Sequence, residues 1–211
     1  MPDQIASFES AGEMYLILAC EGDTRGDFGT GLGDVITLGA LRAAGRLERG
    51  IGPTGWESLE VSAFDGDDDC DGMMEHPRPM GRRTALILKA ADLSVVKECD
   101  VDLEWQRRDL VGWAGRAFKR GGEPEGVAVW DSPSGPVAFV GLERASAIVA
   151  IDLTTREVIG YLDAAADGDV SPEGMCLIPA ALSPTGETLL VVAFEVSGTL
   201  GVYRVVESAH R

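Results

Sequence analysis

Histidine is scarce in this chain: only His76 and His210 occur among 211 residues. A histidine-based catalytic triad or a histidine-rich zinc site is therefore hard to assemble. His210 is also next to last, where chain ends fray. Basic side chains are few, 18 against 35 acidic ones, for a net charge of −17. So negative a surface repels phosphate, which argues against nucleic acid and anionic membrane surfaces as partners. Divalent cations or basic partners match it better. The uninterrupted apolar runs are short, such as Leu189–Phe194. None approaches the roughly 20 residues that span a bilayer, so no membrane span is expected. The N-terminal stretch has no basic n-region and no long apolar core, so no signal peptide is visible. The chain reads as intracellular, or as a piece of a longer secreted one.

Other motifs are missing too. The four cysteines, Cys20, Cys70, Cys99 and Cys176, form no CxxC pair. Cys20 and Cys176 lie in apolar runs and are expected to be small buried residues. A Cys70–Cys99 bridge stays open on sequence grounds. No GxSxG nucleophile elbow occurs. Gly29–Asp34, GTGLGD, lacks dinucleotide-binding spacing. The RGD at Arg25–Asp27 is a tripeptide that chance produces often.

What is present is a repeat. Pro124–Glu143 reads PEGVAVWDSPSGPVAFVGLE, and Pro2–Glu21 reads PDQIASFESAGEMYLILACE, the same length without a gap. Pro172–Glu195 reads PEGMCLIPAALSPTGETLLVVAFE, with extra residues at its central turn. Each copy is an apolar run, a Ser/Pro/Gly/Asp turn and a second apolar run, which is the pattern of a β-hairpin. Ser146–Asp163 adds two more Val/Ile-rich strands after the second copy, and Thr199–Glu207 adds one after the third. Thr84–Asp100, TALILKAADLSVVKECD, mirrors the former.

Pro124 and Pro172 stand 48 residues apart, and four-stranded units of that period are the signature of β-propeller blades. A four-stranded blade is apolar on both faces and must stack on neighbours to bury them. The expected fold is all-β and propeller-like, with about four four-stranded antiparallel blades over 2–55, 56–122, 123–170 and 171–208 of a single domain, 1–211. Neither end supplies a missing fourth strand. That implies an incomplete segment of a larger propeller, closed by further blades of a longer chain or by a partner chain. Asp34–Leu47 is expected as a helix with Asp34 as N-cap. Glu104–Gly122, carrying Trp105, Trp113 and Phe118, is expected as an inter-blade loop with a short helix.

Tyr15–Arg25 (YLILACEGDTR), GEPEGVAVW, Ala138–Leu153 (AFVGLERASAIVAIDL), Leu189–Val205 (LLVVAFEVSGTLGVYRV) and Ser58–Gly72 (SLEVSAFDGDDDCDG) resemble the choice-of-anchor I family in family order. The resemblance implies a propeller-like domain, of which this chain is the C-terminal part. It implies an extracellular or cell-surface location and a binding or scaffold role, with an unknown protein or carbohydrate partner. It carries over no enzymatic activity.

Three constellations could carry chemistry. Asp3, Glu125 and Glu173 precede the first strand of successive copies, and first strands line a propeller's channel. Carboxylates converging there would bind a hard cation or raise one another's pKa; alternatively each accepts backbone hydrogen bonds at its own turn. Glu21, Glu143 and Glu195 each end a second strand, and Arg144 and Arg25 follow the first two of these copies. Structural ion pairs or turn hydrogen bonds are the expected role there, ahead of a site function. In Phe64–Gly72, FDGDDDCDG, the residues Asp67, Asp69, Asp71 and Gly72 match positions 1, 3, 5 and 6 of a calcium loop, with Asp65 beside them. Arg78 falls where a bidentate Glu is usual, and Glu75 at position 9 compensates in part. The loop is either a weak calcium site or a solvated acidic tip. Two functions follow: a non-catalytic propeller module at a cell surface, with calcium as the only cofactor in view, or a metal-dependent lactonase or phosphoesterase using Asp3, Glu125 and Glu173 around one cation.

Overall fold

The computed structural model describes residues 2–22, 33–52, 54–80, 83–101 and 120–207. In chain order, β1 (Pro2–Ser10) and β2 (Glu13–Cys20) are followed by β3 (Val35–Thr37), helix α1 (Leu38–Ala43) and β4 (Glu60–Ser62). Then come β5 (Thr84–Lys89), β6 (Val95–Asp100), β7 (Pro124–Ser132), β8 (Gly135–Leu142), β9 (Ala147–Asp152) and β10 (Glu157–Asp163). A 3-10 turn over Ala164–Asp167 leads to β11 (Pro172–Ile178), β12 (Leu189–Phe194) and β13 (Thr199–Arg204). The strands form four antiparallel sheets, ordered β1-β2-β5-β6, β7-β8-β9-β10, β11-β12-β13 and β3-β4. Among the described residues this is the all-β, incomplete propeller-like segment expected, with almost no helix.

The repeat is visible in the hydrogen-bond register. Pro2 pairs with Cys20, Pro124 with Leu142 and Pro172 with Phe194, and in each sheet the register slips in the next few residues. The third strands are equally aligned, with Cys20↔Thr84, Leu142↔Ala147 and Phe194↔Thr199. Residues 143–146 and 195–198 join second to third strand in the later two sheets. In the first sheet that same joint holds everything from 21 to 83. The spans 2–55 and 56–122 therefore both contribute to one sheet, because β5 pairs with β2 across the insertion.

Local chemistry makes the hairpins. Ala11 and Gly12 both have positive φ, 52° and 79°, the two-residue turn whose twist suits adjoining strands. At the β9–β10 turn, Asp152 Oδ1 accepts from Thr154 N–H at 2.8 Å and Thr155 N–H at 3.1 Å. The middle sheet is buried on both faces. On one side Val140, Val149 and Ile151 pack with Ile17 and Ile87 of the first sheet. On the other, Ile148 and Ala128 pack with Met175, Leu190, Val192 and Phe194 of the third. Each large side chain so buried contributes roughly 1.5–3 kcal/mol.

Two local expectations are corrected. The helix is shorter than Asp34–Leu47, and its N-cap is Thr37, whose hydroxyl accepts from Ala40 N–H at 3.2 Å. β-branched Val35, Ile36 and Thr37 pair instead with Ser62, Val61 and Glu60, and Gly45 at φ 66° follows the helix end. Cys176 is exposed, because it sits on the outer face of β11, in a row with Val191 and Val202, away from the middle sheet. Cys20 is buried, and Cys70 and Cys99 are free thiols with no bridge between them. The expected loop and helix over Glu104–Gly122 fall almost wholly outside the described residues, as do Arg25 and His210.

Candidate functional site

The acidic loop grows from a small satellite fold. β3, β4 and α1 enclose a second core of Leu38, Leu41, Leu47, Leu59, Val61 and Met74. Ser62, at the end of β4, is fixed by donating its hydroxyl to Asp34 Oδ1 at 2.8 Å, and its oxygen accepts from Phe64 and Asp65 N–H. The neck of the loop is closed by Glu75 and His76 N–H groups, both donating to the Gly66 carbonyl at 2.9 and 3.0 Å. Gly66 is required there: its φ is 114°, and a Cβ would run into the His76 carbonyl.

Inside the neck the carboxylates organise the backbone. Asp67 accepts from Asp71 N–H at 3.1 Å and Gly72 N–H at 2.8 Å. Asp71 accepts from Met73 N–H at 2.8 Å, and Glu75 from Asp68 N–H at 2.9 Å. Asp67, Asp69, Asp71 and Glu75 each offer one oxygen, and these four oxygens lie within 4.8 Å of one another. Asp65 is not in this grouping. Arg78 uses its carbonyl to accept from Ser62 N–H at 2.8 Å, anchoring the base of the loop. Four clustered carboxylate oxygens are the donor set of a hard cation. Zinc and the softer metals are poorly matched, since no sulfur or imidazole joins the four.

The second set lies where the first strands β1, β7 and β11 run side by side. Gln4 Oε1 crosses from β1 to accept from Val127 N–H at 2.5 Å. A Cβ on Gly126 would overlap the Glu173 carbonyl, so glycine permits the approach of β7 to β11. Asp3, Glu125 and Glu173 each sit just after the proline of their strand, where the register slips. Glu125 is half-buried, and its Oε2 is enclosed with no hydrogen-bond partner among the described residues. Desolvation first, then the charges of Glu143, Glu21, Glu173 and Asp3, push its pKa up to about 8. Among the described residues no grouping as tight as the acidic loop contains Asp3, Glu125 and Glu173. Sharing one cation, as the hydrolase reading needs, finds no support in that spacing.

The ion pair expected between Glu143 and Arg144 is present, and it has a further member that the sequence reading did not name, Glu123. Arg144 Nε donates to Glu123 Oε2 at 2.7 Å and Nη1 to Glu143 Oε1 at 2.5 Å, and both carboxylates are buried. Glu143 and Glu123 also share a backbone bond, Glu143 N–H to Glu123 carbonyl at 2.9 Å. The adjacency Glu143-Arg144 was a signal for half of it; Glu123 was reachable only through the strand register.

Compared with known proteins, residues 1–156 match the family model of the choice-of-anchor I domain. The match spans the first sheet, the acidic loop, both carboxylate series as far as Glu143, and β7 to β9. No curated protein matches the chain.

Proposed function

The chain belongs to the choice-of-anchor I domain family, and we propose that it is a non-catalytic, surface-associated module whose acidic loop holds a calcium ion. The observation that carries the calcium reading is the convergence of Asp67, Asp69, Asp71 and Glu75 oxygens within 4.8 Å. Their charge and hardness suit calcium, and the open surface position suits a weak, exchangeable site. Extracellular calcium modules work at about 10⁻⁴–10⁻³ M, so such a site fits the surface location the family suggests. Calcium would neutralise mutually repelling carboxylates and stiffen the loop for presentation to a protein or carbohydrate partner.

Isothermal calorimetry with calcium chloride tests this. Saturable heat in the unmutated chain, lost in Asp67→Ala and in Asp69→Ala, is the expected result. No heat in the unmutated chain, up to several millimolar calcium, overturns it.

A further inference from the structure

Where β1, β7 and β11 begin, one acid is held in a place unsuited to its charge. Glu125 Oε2 is enclosed and accepts no hydrogen bond among the described residues. An ionised carboxylate so placed has lost water and gained no donor. The strands around it bring further negative charge: Asp3 from β1, Glu21 from the end of β2, Glu143 from the end of β8 and Glu173 from β11. Arg144 also lies within its field, but Nε and Nη1 are already engaged by Glu123 and Glu143. Enclosure and like charge act in the same direction, toward the neutral acid, and a pKa of about 8 follows.

Beside this group lies a weak tie between two sheets. The ladders of all three first strands slip in register at this point. At the slip in β7, Val127 N–H, two residues from Glu125, donates across to Gln4 Oε1 of β1. That side-chain hydrogen bond joins the first sheet to the middle one. On the other side β7 meets β11 backbone to backbone, with Gly126 against the Glu173 carbonyl. Elsewhere Phe8 and Ile17 of the first sheet share a core with Val140 and Val149 of the middle one, which holds the rest of the interface together. The sheets can therefore part at the Gln4 contact without unfolding.

We propose that Glu125 and Gln4 form a proton-operated clasp between the first and middle sheets. With Glu125 protonated, the three strand ends close around it and the Gln4–Val127 bond is made. Loss of the proton puts a further charge among Asp3, Glu21, Glu143 and Glu173. Water enters to solvate that charge, and the Gln4–Val127 bond is the contact that gives way. Glu21 is both a neighbour of Glu125 and the root of the insertion that carries the acidic loop. The clasp thus couples pH to the seating of that insertion on the sheets, whether or not the loop holds calcium.

Nuclear magnetic resonance on the full chain tests this, with isotope-labelled glutamate carboxyls and backbone amides. The Glu125 carboxyl and the Val127 amide should titrate together, with a midpoint of about 8. Exchange of the Val127 amide with solvent, corrected for its intrinsic base-catalysed rise, should quicken at least about tenfold across that midpoint. In Glu125→Gln it should stay slow throughout, and in Gln4→Ala it should be fast throughout. Glu173 is exposed, so Glu173→Gln keeps the fold and should move the shared midpoint to lower pH. A Glu125 midpoint near the ordinary 4.5 overturns the proposal. So does a high midpoint with no response at Val127, slow exchange in Gln4→Ala, or a Val127 response that persists in Glu125→Gln.

Discussion

Glu125→Gln should remove a pH-dependent loss of stability. Below its ordinary value of 4.5 the Glu125 carboxyl is protonated in folded and unfolded chains alike. Between 4.5 and about 8 the unfolded chain releases that proton while the folded one holds it, because burial and four neighbouring carboxylates oppose its charge. Stability therefore falls as pH rises through this window, and the loss is complete above pH 8. A shift of that size converts in full to about 5 kcal/mol. The carboxyl is only half-buried, so solvent screening reduces this to roughly 2 kcal/mol. Glutamine keeps the shape and cannot ionise. Urea titrations followed by tryptophan fluorescence at pH 5, 6.5, 8 and 9 measure both proteins. The two should be alike at pH 5, with Glu125→Gln about 2 kcal/mol more stable at pH 9. Parallel stability curves across that range would refute the account of Glu125 as a proton-holding group between three strands.

Gly126→Ala should destabilise by about 2–3 kcal/mol in the same denaturation assay, since its Cβ meets the backbone carbonyl of Glu173 rather than a yielding side chain. Arg144→Ala withdraws a guanidinium from buried Glu123 and Glu143. Arg144 is itself 40% exposed, so a loss of roughly 2 kcal/mol is expected rather than the larger cost of breaking a fully enclosed pair. A thiol-reactive dye should label Cys70 and Cys176 in the native protein and reach Cys20 and Cys99 only on unfolding, with burial also raising the Cys99 thiol pKa. Fast labelling of all four would contradict the packing of β2 and β6.

The repeat was legible because its punctuation is covalent chemistry. Proline sets the entry of each first strand, and the acidic residue after it stands 18 residues before the glutamate that follows the second strand in the first two copies and 22 before it in the third, whose central turn is longer. The registers Pro2↔Cys20, Pro124↔Leu142 and Pro172↔Phe194 follow that spacing residue for residue. The insertion was less legible. β3 and β4 are three residues each, too short for an alternation to be read, and the pairing of β2 with β5 is a contact across more than sixty residues. At the acidic loop, the alternation Asp67, Asp69, Asp71 is written in the sequence. The arrival of Glu75 beside them depends on the neck hydrogen bonds to Gly66, which no spacing rule encodes. Arg144 between two buried glutamates has the same character, since Glu123 and Arg144 are neighbours only once β7 and β8 pair.

The joint between second and third strands can be seen as a socket. In two sheets it is filled by four residues, and in the first by everything between Cys20 and Thr84, yet the flanking pairs keep one alignment. Lengthening a flexible connection by that factor costs only roughly 2 kcal/mol of closure entropy, less than two well-buried side chains return. The blade therefore tolerates cargo at this point without changing itself. Loop and scaffold are free to diverge separately: the acidic segment could be exchanged for another recognition element, or cut back to a four-residue turn, while the stacked sheets keep their form.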